Sequence, residues 1–329
     1  MNVMVTPLTV AALLQVAVAM VGCDGSPPAP TVALRIGVYR AQDYLPYYVM
    51  QEQGLDKKNR LKFTETLVPG GAAAIDAMVE GTMDVSLVGI VPLLATAERG
   101  LVPDKLVPVA ANNFADREHR GVGVLVANTV QGWRDLEGRK IGTNARSSIL
   151  TAAADARLKQ EGIRGYSFVE IPLANLGLAL AGGNVAAAFM NEPYLTQSLL
   201  RGDGKLLDWV IGGPPFERME VSTIVFSAAF HHRNPEGIKA FLRAHLSAVR
   251  WINDHPDEAR LILARRLMLS EDVARKMNLL RWPSDARTDA ALLDQTQQVL
   301  LAAGTLRQPV NARRLHDQSL LAEVLKETR

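Results

Sequence analysis

The chain has 329 residues, of which 36 are basic and 34 acidic, and the charges are scattered along the sequence. This balance argues against nucleic acid as the main partner, because neutralising phosphates requires a basic surface. A single cysteine excludes internal disulfides and metal sites built from several thiolates.

The N-terminus has the features of an export signal. The segment from Leu8 to Gly22 carries no charge. It has the length of a signal-peptide core and is too short to span a bilayer. The only cysteine, Cys23, follows directly. The small residues before it resemble the lipobox of bacterial lipoproteins, and this resemblance implies that Cys23 is acylated. Residues 1–23 are therefore predicted to be a lipoprotein signal peptide.

Two features of this segment depart from the lipobox pattern. Met20 stands where leucine is usual, and no Lys or Arg precedes Arg35. An ordinary cleaved signal with an incidental cysteine is the alternative. Asp24 resembles the signal that retains Gram-negative lipoproteins in the inner membrane, so we expect a periplasmic protein anchored there through the lipid on Cys23. Residues 24–30, rich in proline and glycine, are predicted to be a linker.

The rest of the chain alternates short β-rich segments with helical patterns that end at glycine. This alternation is typical of an α/β protein with parallel sheets. The predicted strands are 34–39, 61–68, 85–88, 106–111, 121–126, 140–142, 166–171, 186–190 and 221–226. The predicted helices are 47–53, 72–80, 92–100, 148–160, 176–181 and one with Pro193 in its first turn. After Phe226 only helices are predicted.

An internal repeat relates the two halves of the chain. In the first half, residues 68–71 lead into a helix, a glycine stop and a strand that ends at 89–92. In the second half, residues 171–175 lead into the same succession, which ends at 191–193. Two similar lobes facing each other would form a cleft lined by their strand-to-helix loops.

Several motifs occur in a characteristic order between residues 33 and 265. They are Leu34-Arg35-Ile36-Gly37-Val38, Pro69-Gly70-Gly71, Asp76-Ala77-Met78, Gly81-Thr82-Met83-Asp84-Val85, residues 135–142 and Asn191-Glu192-Pro193. The ordered set resembles the periplasmic solute-binding proteins of nitrate, sulfonate, taurine and bicarbonate ABC importers, together with thiamine-precursor binders. Ala186 departs from the pattern, since the family usually has aspartate there, and the second lobe is therefore a diverged copy.

The resemblance implies an α/β fold of the two-lobed periplasmic binding protein type (type II), with a central ligand cleft and two crossover strands. Lobe 1 is expected to comprise residues 31–115 and 222–329, and lobe 2 residues 124–215. The implied partners are a small-molecule ligand and an ABC permease in the inner membrane. We expect a monomer with no cofactor and no metal.

The cleft itself is predicted to favour an anion. Helices that start near Gly71, Pro92, Ser148, Asn175 and Pro193 would direct their N-termini at the opening. Each terminus presents unpaired N–H groups and a partial positive charge.

Candidate ligand-binding residues follow the strands of both lobes. They are Tyr39, Arg40, Tyr44, Gly70, Gly71, Gly89, Ile90, Arg146, Ser147, Ser148, Asn175, Asn191 and Glu192. The arginines offer a fork of donors to an oxyanion, although solvation or ion pairing is an equal alternative. The tyrosines form an aromatic wall or pack a helix on its sheet. The serines contact ligand or cap a helix.

Glu192 leaves two alternatives open. Uncompensated in the cleft, it would repel an anion and favour an amine or a zwitterion, such as taurine or a thiamine precursor. Alternatively, it caps the helix that Pro193 starts.

No catalytic constellation is found in the sequence, since His231-His232 and the other histidines lack the spacing of metal or nucleophile sites. We expect a lipid-anchored substrate-binding component of an ABC importer for a small anionic or zwitterionic solute. One alternative is a periplasmic ligand-sensing module of a signalling system. Another is an enzyme, because menaquinone-pathway enzymes and a pyrimidine synthase share this architecture.

Overall fold

The computed structural model describes residues 30–146 and 148–327. The predicted signal peptide with Cys23, the linker up to residue 29, and Ser147 lie outside the described residues. The strands are β1 (Val32–Val38), β2 (Leu61–Leu67), β3 (Val85–Gly89), β4 (Leu106–Ala115), β5 (Val122–Val126), β6 (Lys140–Thr143), β7 (Ser167–Glu170), β8 (Ala187–Asn191), β9 (Lys205–Ile211) and β10 (Met219–Ser227).

Helices connect and follow these strands. They are α1 (Leu45–Glu52), α2 (Leu55–Lys58), α3 (Gly71–Val79), α4 (Ile90–Glu98), α5 (Ile149–Gln160), α6 (Leu176–Ala181), α7 (Tyr194–Arg201), α8 (Ala228–Arg233), α9 (Pro235–Asp254), α10 (Pro256–Leu267), α11 (Glu271–Lys276), α12 (Ala290–Ala303) and α13 (Ser319–Glu327). Short 3-10 turns occupy Gln42–Tyr44, Trp133–Leu136, Leu173–Asn175 and Ala312–Arg314. No helix in this described part of the chain qualifies by length and hydropathy as a membrane span.

The strands form two five-stranded sheets with the same topology. Their orders are β2-β1-β3-β10-β4 and β7-β6-β8-β5-β9. In each sheet four strands run in one direction, and the fourth in the order, β10 or β5, runs antiparallel to both of its neighbours. We call the part of the molecule built on the first sheet lobe 1, and the part built on the second sheet lobe 2. The predicted two-lobed α/β fold is confirmed.

The chain passes between the sheets twice. Residues 116–121 lead from β4 to β5, and residues 212–218 lead from β9 back to β10. The antiparallel strand of each sheet therefore adjoins a crossover, which places the parallel strand ends of both lobes around one opening. The residue limits given to the lobes in the sequence analysis stay a prediction.

Two parts of the secondary structure differ from expectation. β9 was not predicted; it is an edge strand that pairs only with β5, and burial is complete only over its last three residues. The segment after β10 is not purely helical, because irregular stretches at 277–289 and 304–318 separate its last helices. Both depend on contacts distant in sequence.

Lobe 1 has the larger aromatic core. Tyr47 and Phe63 meet edge to face with ring centroids 5.2 Å apart, and Phe63 and Phe241 follow at 6.1 Å. Phe241 belongs to α9, which packs on α1 and β2. Helix α9 therefore covers and stabilises lobe 1, whereas α12 and α11 also contact α5 and α7 of lobe 2.

Candidate functional site

A cavity of about 700 Å³ lies between the two lobes. Lobe 1 lines it with the loops that follow β1 and β2 and with the end of β3, and lobe 2 with the loops after β6 and β7 and the end of β8. Ligands of open α/β sheets bind outside the carboxyl ends of the strands, where these loops lie. The volume suits a small organic molecule.

The start of α3 forms the lobe 1 side of the cavity. Gly70, Gly71, Ala72 and Ala73 line it, and no side chain caps the helix. The first hydrogen bond of the helix runs from the Ala74 N–H to the Gly70 carbonyl, at 3.1 Å. Helix geometry leaves the preceding N–H groups without an intrahelical partner. A Cβ atom added at Gly70 would meet nothing within 4 Å, so this loop leaves room for a ligand.

The start of α4 has the same character. Gly89 precedes this helix and lines the cavity, again without a side-chain cap. Ile90, by contrast, is fully buried in the lobe 1 core and does not line the cavity. Two helices of lobe 1 with glycine at the N-cap position therefore begin at the cavity, with their positive termini directed at it.

The start of α5 forms the lobe 2 side. Ser148 lines the cavity, and its Oγ accepts a hydrogen bond from the Thr151 N–H at 3.2 Å. Ser148 thus caps the helix and borders the cavity at once. Asn144 and Asn191 also line the cavity, and their Oδ1 atoms are buried without a hydrogen-bond partner among the described residues. Both carbonyl oxygens are therefore unpaired acceptors beside the cavity.

The arginines take different positions. Arg40 lines the cavity, and its carbonyl accepts a hydrogen bond from the hydroxyl of Tyr194 across the lobes, at 3.3 Å. The Arg146 side chain is 85% exposed and donates to Glu170 Oε1 at 3.0 Å. It borders a separate cavity of about 500 Å³. Arg146 is thus ion-paired beside the main cavity, which corresponds to the alternative of an ion-paired arginine rather than a ligand contact.

Much of the remaining wall is apolar. Among the apolar lining residues are Leu67, Val68 and Pro69 from lobe 1 and Ile149, Ile171 and Leu173 from lobe 2. Within residues 30–146 and 148–327, no group of three or more His, Cys, Asp or Glu side chains is placed to hold a metal ion.

The family model of the NMT1-like family matches residues 27–268, which is most of the chain. The chain belongs to the NMT1-like family. The family resemblance expected from the sequence motifs is confirmed. A comparison with curated protein sequences finds no match.

Solved structures similar to this NMT1-like chain include two binding proteins and an enzyme. The periplasmic aliphatic sulphonate binding protein SsuA from Escherichia coli is 20% identical, with a TM-score of 0.67, over 87% of this chain and 92% of that one. The periplasmic nitrate-binding protein NrtA from Synechocystis PCC 6803 is 14% identical, with a TM-score of 0.74, over 90% and 89%. The desulfurization enzyme DSZB is 17% identical, with a TM-score of 0.67, over 90% and 99%. At these identities the likeness concerns the fold.

The two candidate tyrosines of this NMT1-like chain differ in position. Tyr39 lines the cavity, and its hydroxyl donates to the Leu87 carbonyl at 3.0 Å. Tyr44 is fully buried and does not line the cavity. Its hydroxyl lies 2.8 Å from both the Gly37 carbonyl and Ser86 Oγ. Tyr44 therefore packs the start of α1 against the sheet, which corresponds to the alternative of a packing residue rather than a cavity wall.

Glu192 and Asn175 also lie outside the cavity lining. Glu192 is 0% exposed, and its carboxylate accepts hydrogen bonds from the N–H and hydroxyl of Thr196 and from the N–H of Asn278, at 2.8–3.1 Å. Burial raises the pKa of Glu192. It thus holds the start of α7, as the capping alternative expects. Asn175 is exposed and ends the 3-10 turn whose residues Leu173 and Ala174 do line the cavity.

The cavity contains an acidic group that sequence reasoning missed. Asp43 lines it, is 7% exposed, and lies in the 3-10 turn before α1. Asn113 Nδ2 donates to Asp43 Oδ1 at 3.1 Å, and Asn112 Nδ2 to the Asp43 carbonyl at 2.9 Å. Burial raises the pKa of Asp43. Asp43 lies three residues after Arg40, in the loop that follows β1, and this position in the sequence could have indicated that it borders the cavity.

Proposed function

We propose that the protein is a periplasmic solute-binding protein of an ABC importer, and that it captures a small anionic or zwitterionic organic solute. The observation that carries this proposal is the cavity between the lobes, on which the uncapped N-terminus of α3 opens. The names of the similar structures, an aliphatic sulphonate binding protein and a nitrate-binding protein, support it.

The helix termini supply the attraction for an anion. The N-termini of α3, α4 and α5 all contribute lining residues, and each favours a nearby negative charge by about 0.3–1 kcal/mol. Unpaired N–H groups at such termini also bind anion oxygens directly. An anionic group of the ligand would therefore lie at Gly70 and Gly71, on the lobe 1 side of the cavity.

The apolar walls favour an organic solute over an inorganic ion. A cavity of about 700 Å³ is much larger than a three-oxygen anion needs. Leu67, Val68, Ile149 and Ile171 would lose water contact when an apolar part of the ligand binds between them.

Transport would use the two-lobed architecture. A ligand that contacts both lobes binds their closed arrangement better than an open one, and so shifts the equilibrium towards closure. The closed form would then dock on a permease. In this proposal the protein acts as a monomer and releases the ligand chemically unchanged, whereas a ligand-sensing module would pass the closed state to a signalling partner instead.

The decisive test uses substitutions at Gly70 in protein that begins at Thr31, where the compact unit starts. Gly70→Asp places a carboxylate at the N-cap of α3, where it competes for the N–H groups that an anion would use. Sulfonates, carboxylates and related zwitterions should raise the Tm of the wild type and of Gly70→Ala, and fail to raise that of Gly70→Asp. If only cations or sugars raise the wild-type Tm, the proposal is wrong.

An enzyme on this fold is the competing function, and the likeness to the desulfurization enzyme favours it. The two are separated by incubating the protein with a stabilising compound, denaturing it and weighing the released compound by mass spectrometry. A binding protein returns the same mass, and an enzyme returns a product.

We also propose the lipid anchor at Cys23. The full chain with Cys23→Ser should leave the membrane fraction for the soluble periplasmic fraction. Unchanged fractionation would contradict the anchor and leave the ligand proposal intact.

A further inference from the structure

We propose that Asp43 sets the ligand specificity of the cavity by binding a protonated nitrogen, so that the ligand is a zwitterion rather than a simple anion. This inference rests on the proposed function, because it takes the interlobe cavity to be the ligand site. It identifies the Asp43 carboxylate as the group that discriminates between zwitterions and simple anions.

The side chain of Asp43 is fixed in position at the cavity. Asn113 Nδ2 donates to Asp43 Oδ1, and Asn113 Oδ1 accepts in turn from Ser222 Oγ at 2.9 Å. Asn112 Nδ2 donates both to Ser222 Oγ and to the Asp43 carbonyl, each at 2.9 Å. These side chains are buried on strands β4 and β10 of lobe 1. The network holds the carboxylate without neutralising it.

Asp43 has no ion-pair partner in the described part of the chain. Among the described residues no Lys, Arg or His side chain forms an ion pair with it, and its pKa is raised chiefly by burial. A carboxylate that is buried without a cation is strongly disfavoured unless it is paired. Because Asp43 borders the cavity, a ligand cation is the partner that the site can accept.

The other acidic groups near the cavity have partners already. Glu170 lines the cavity but is ion-paired with Arg146 and half exposed to water. Glu192 is satisfied by Thr196 and Asn278 and does not reach the cavity. Asp43 is therefore the acid at which a ligand nitrogen would gain most.

The cavity thus has two electrostatically different regions. The N-terminus of α3 at Gly71 favours a negative group, and Asp43 favours a positive one. A simple anion satisfies the first region and is repelled by the second. A zwitterion satisfies both, which is the physical basis for selection between the two.

The test compares matched pairs of compounds by calorimetry. Each pair consists of an ω-aminoalkanesulfonate and the alkanesulfonate of equal chain length, or of an amino acid and the corresponding carboxylate. The wild type should bind the amino member at least tenfold more tightly, as expected for a hydrogen bond between charged groups. Asp43→Asn, which keeps the shape and removes the charge, should reduce the preference to threefold or less. Asp104→Asn, the same change at an exposed position outside the cavity, should keep it.

Equal binding of both members by the wild type overturns the inference and leaves the proposed function intact. A preference that persists in Asp43→Asn also overturns it, because another group then binds the nitrogen. Absence of binding by every pair overturns the proposed function and this inference together. If Asp43→Asn does not fold, N-acetylated amino compounds on the wild type decide instead: they lack the positive charge and should bind at least tenfold more weakly than the free amines.

Discussion

Lobe 1 and lobe 2 repeat one strand order, and Asp84 and Ala186 occupy equivalent places in them. The N–H of Asp84 donates to the carbonyl of Arg35, and the N–H of Ala186 to the carbonyl of Lys140, both at 2.9 Å. In lobe 1 the side chains add an ion pair, with Arg35 donating twice to the Asp84 carboxylate at 2.7 and 3.0 Å. Lobe 2 keeps the backbone bond and has an alanine in place of the acid. The repeat thus conserves main-chain geometry while its side chains diverge.

The lobes also differ at the helices that face the cavity and in their buried titratable groups. In lobe 1, α3 starts at a glycine without a cap, whereas in lobe 2 Ser148 caps α5. All six histidines lie outside residues 122–211, and His245 is buried in α9 against lobe 1. These differences predict that the lobes respond unequally to pH and to matched substitutions.

The largest expected effect concerns His245. Burial lowers its pKa to about 4, so the folded protein binds fewer protons there than the unfolded chain does below an ordinary histidine pKa of about 6.5. The contribution of neutral His245 to the free energy of unfolding is therefore fully present above a pH of about 6.5. It falls by about 3 kcal/mol as the pH drops towards 4. His245→Leu should remove this part of the loss in urea unfolding at pH 7 and pH 4. An identical loss in variant and wild type would contradict the assignment.

Next comes the ion pair between Arg35 and Asp84 in lobe 1. Arg35→Ala leaves the nearly buried Asp84 carboxylate without its cation, and should lower the free energy of unfolding by about 2–3 kcal/mol. Lys140→Ala, the matched change in lobe 2, removes an exposed side chain and should change it by about 0.5 kcal/mol or less. Chemical denaturation measures both. Similar losses in the two variants would show that the lobes are not held differently.

A smaller difference is expected at the helix starts. Ser148→Ala removes the hydrogen bond to the Thr151 N–H and should cost about 1 kcal/mol. Gly70→Ala removes no cap. The φ of Gly70 is 170°, which is extended backbone, and the added Cβ would lie in open space. This substitution should therefore change the free energy of unfolding by roughly a few tenths of a kcal/mol. Thermal unfolding of the two variants tests this ranking, which reverses if α3 depends on Gly70 for its conformation.

The smallest effect comes from restoring the acid of lobe 2. Ala186→Asp places a carboxylate near Lys140, which is exposed, so the gain should be about 0.5 kcal/mol or less and should disappear at high salt. Ala186→Asn is the neutral control. A gain that survives at high salt would indicate a buried pair like that of lobe 1.

Helices and strands followed from local patterns where those patterns are strong. The predicted helix 148–160 corresponds to α5 at Ile149–Gln160, and the predicted strand 186–190 to β8, because hydrophobic periodicity and glycine stops act within a few residues. β9 could not be found this way, since an edge strand takes its burial from a partner, here β5, about 80 residues earlier. The repeat predicted two lobes because equal segments fold into equal units.

The amino-acid sequence alone determined most of the elements, the two-lobed fold and the loops that border the cavity, among them those of Gly70, Ser148 and Asn191. Their contact with a ligand stays a prediction. Only the tertiary structure decided which acids border the cavity, namely Asp43 and Glu170 but not Glu192. Glu192 is bound by Asn278, 86 residues away, and Asp43 is fixed there by Asn113, 70 residues away. The direction of a loop side chain depends on such distant partners, which no local pattern contains.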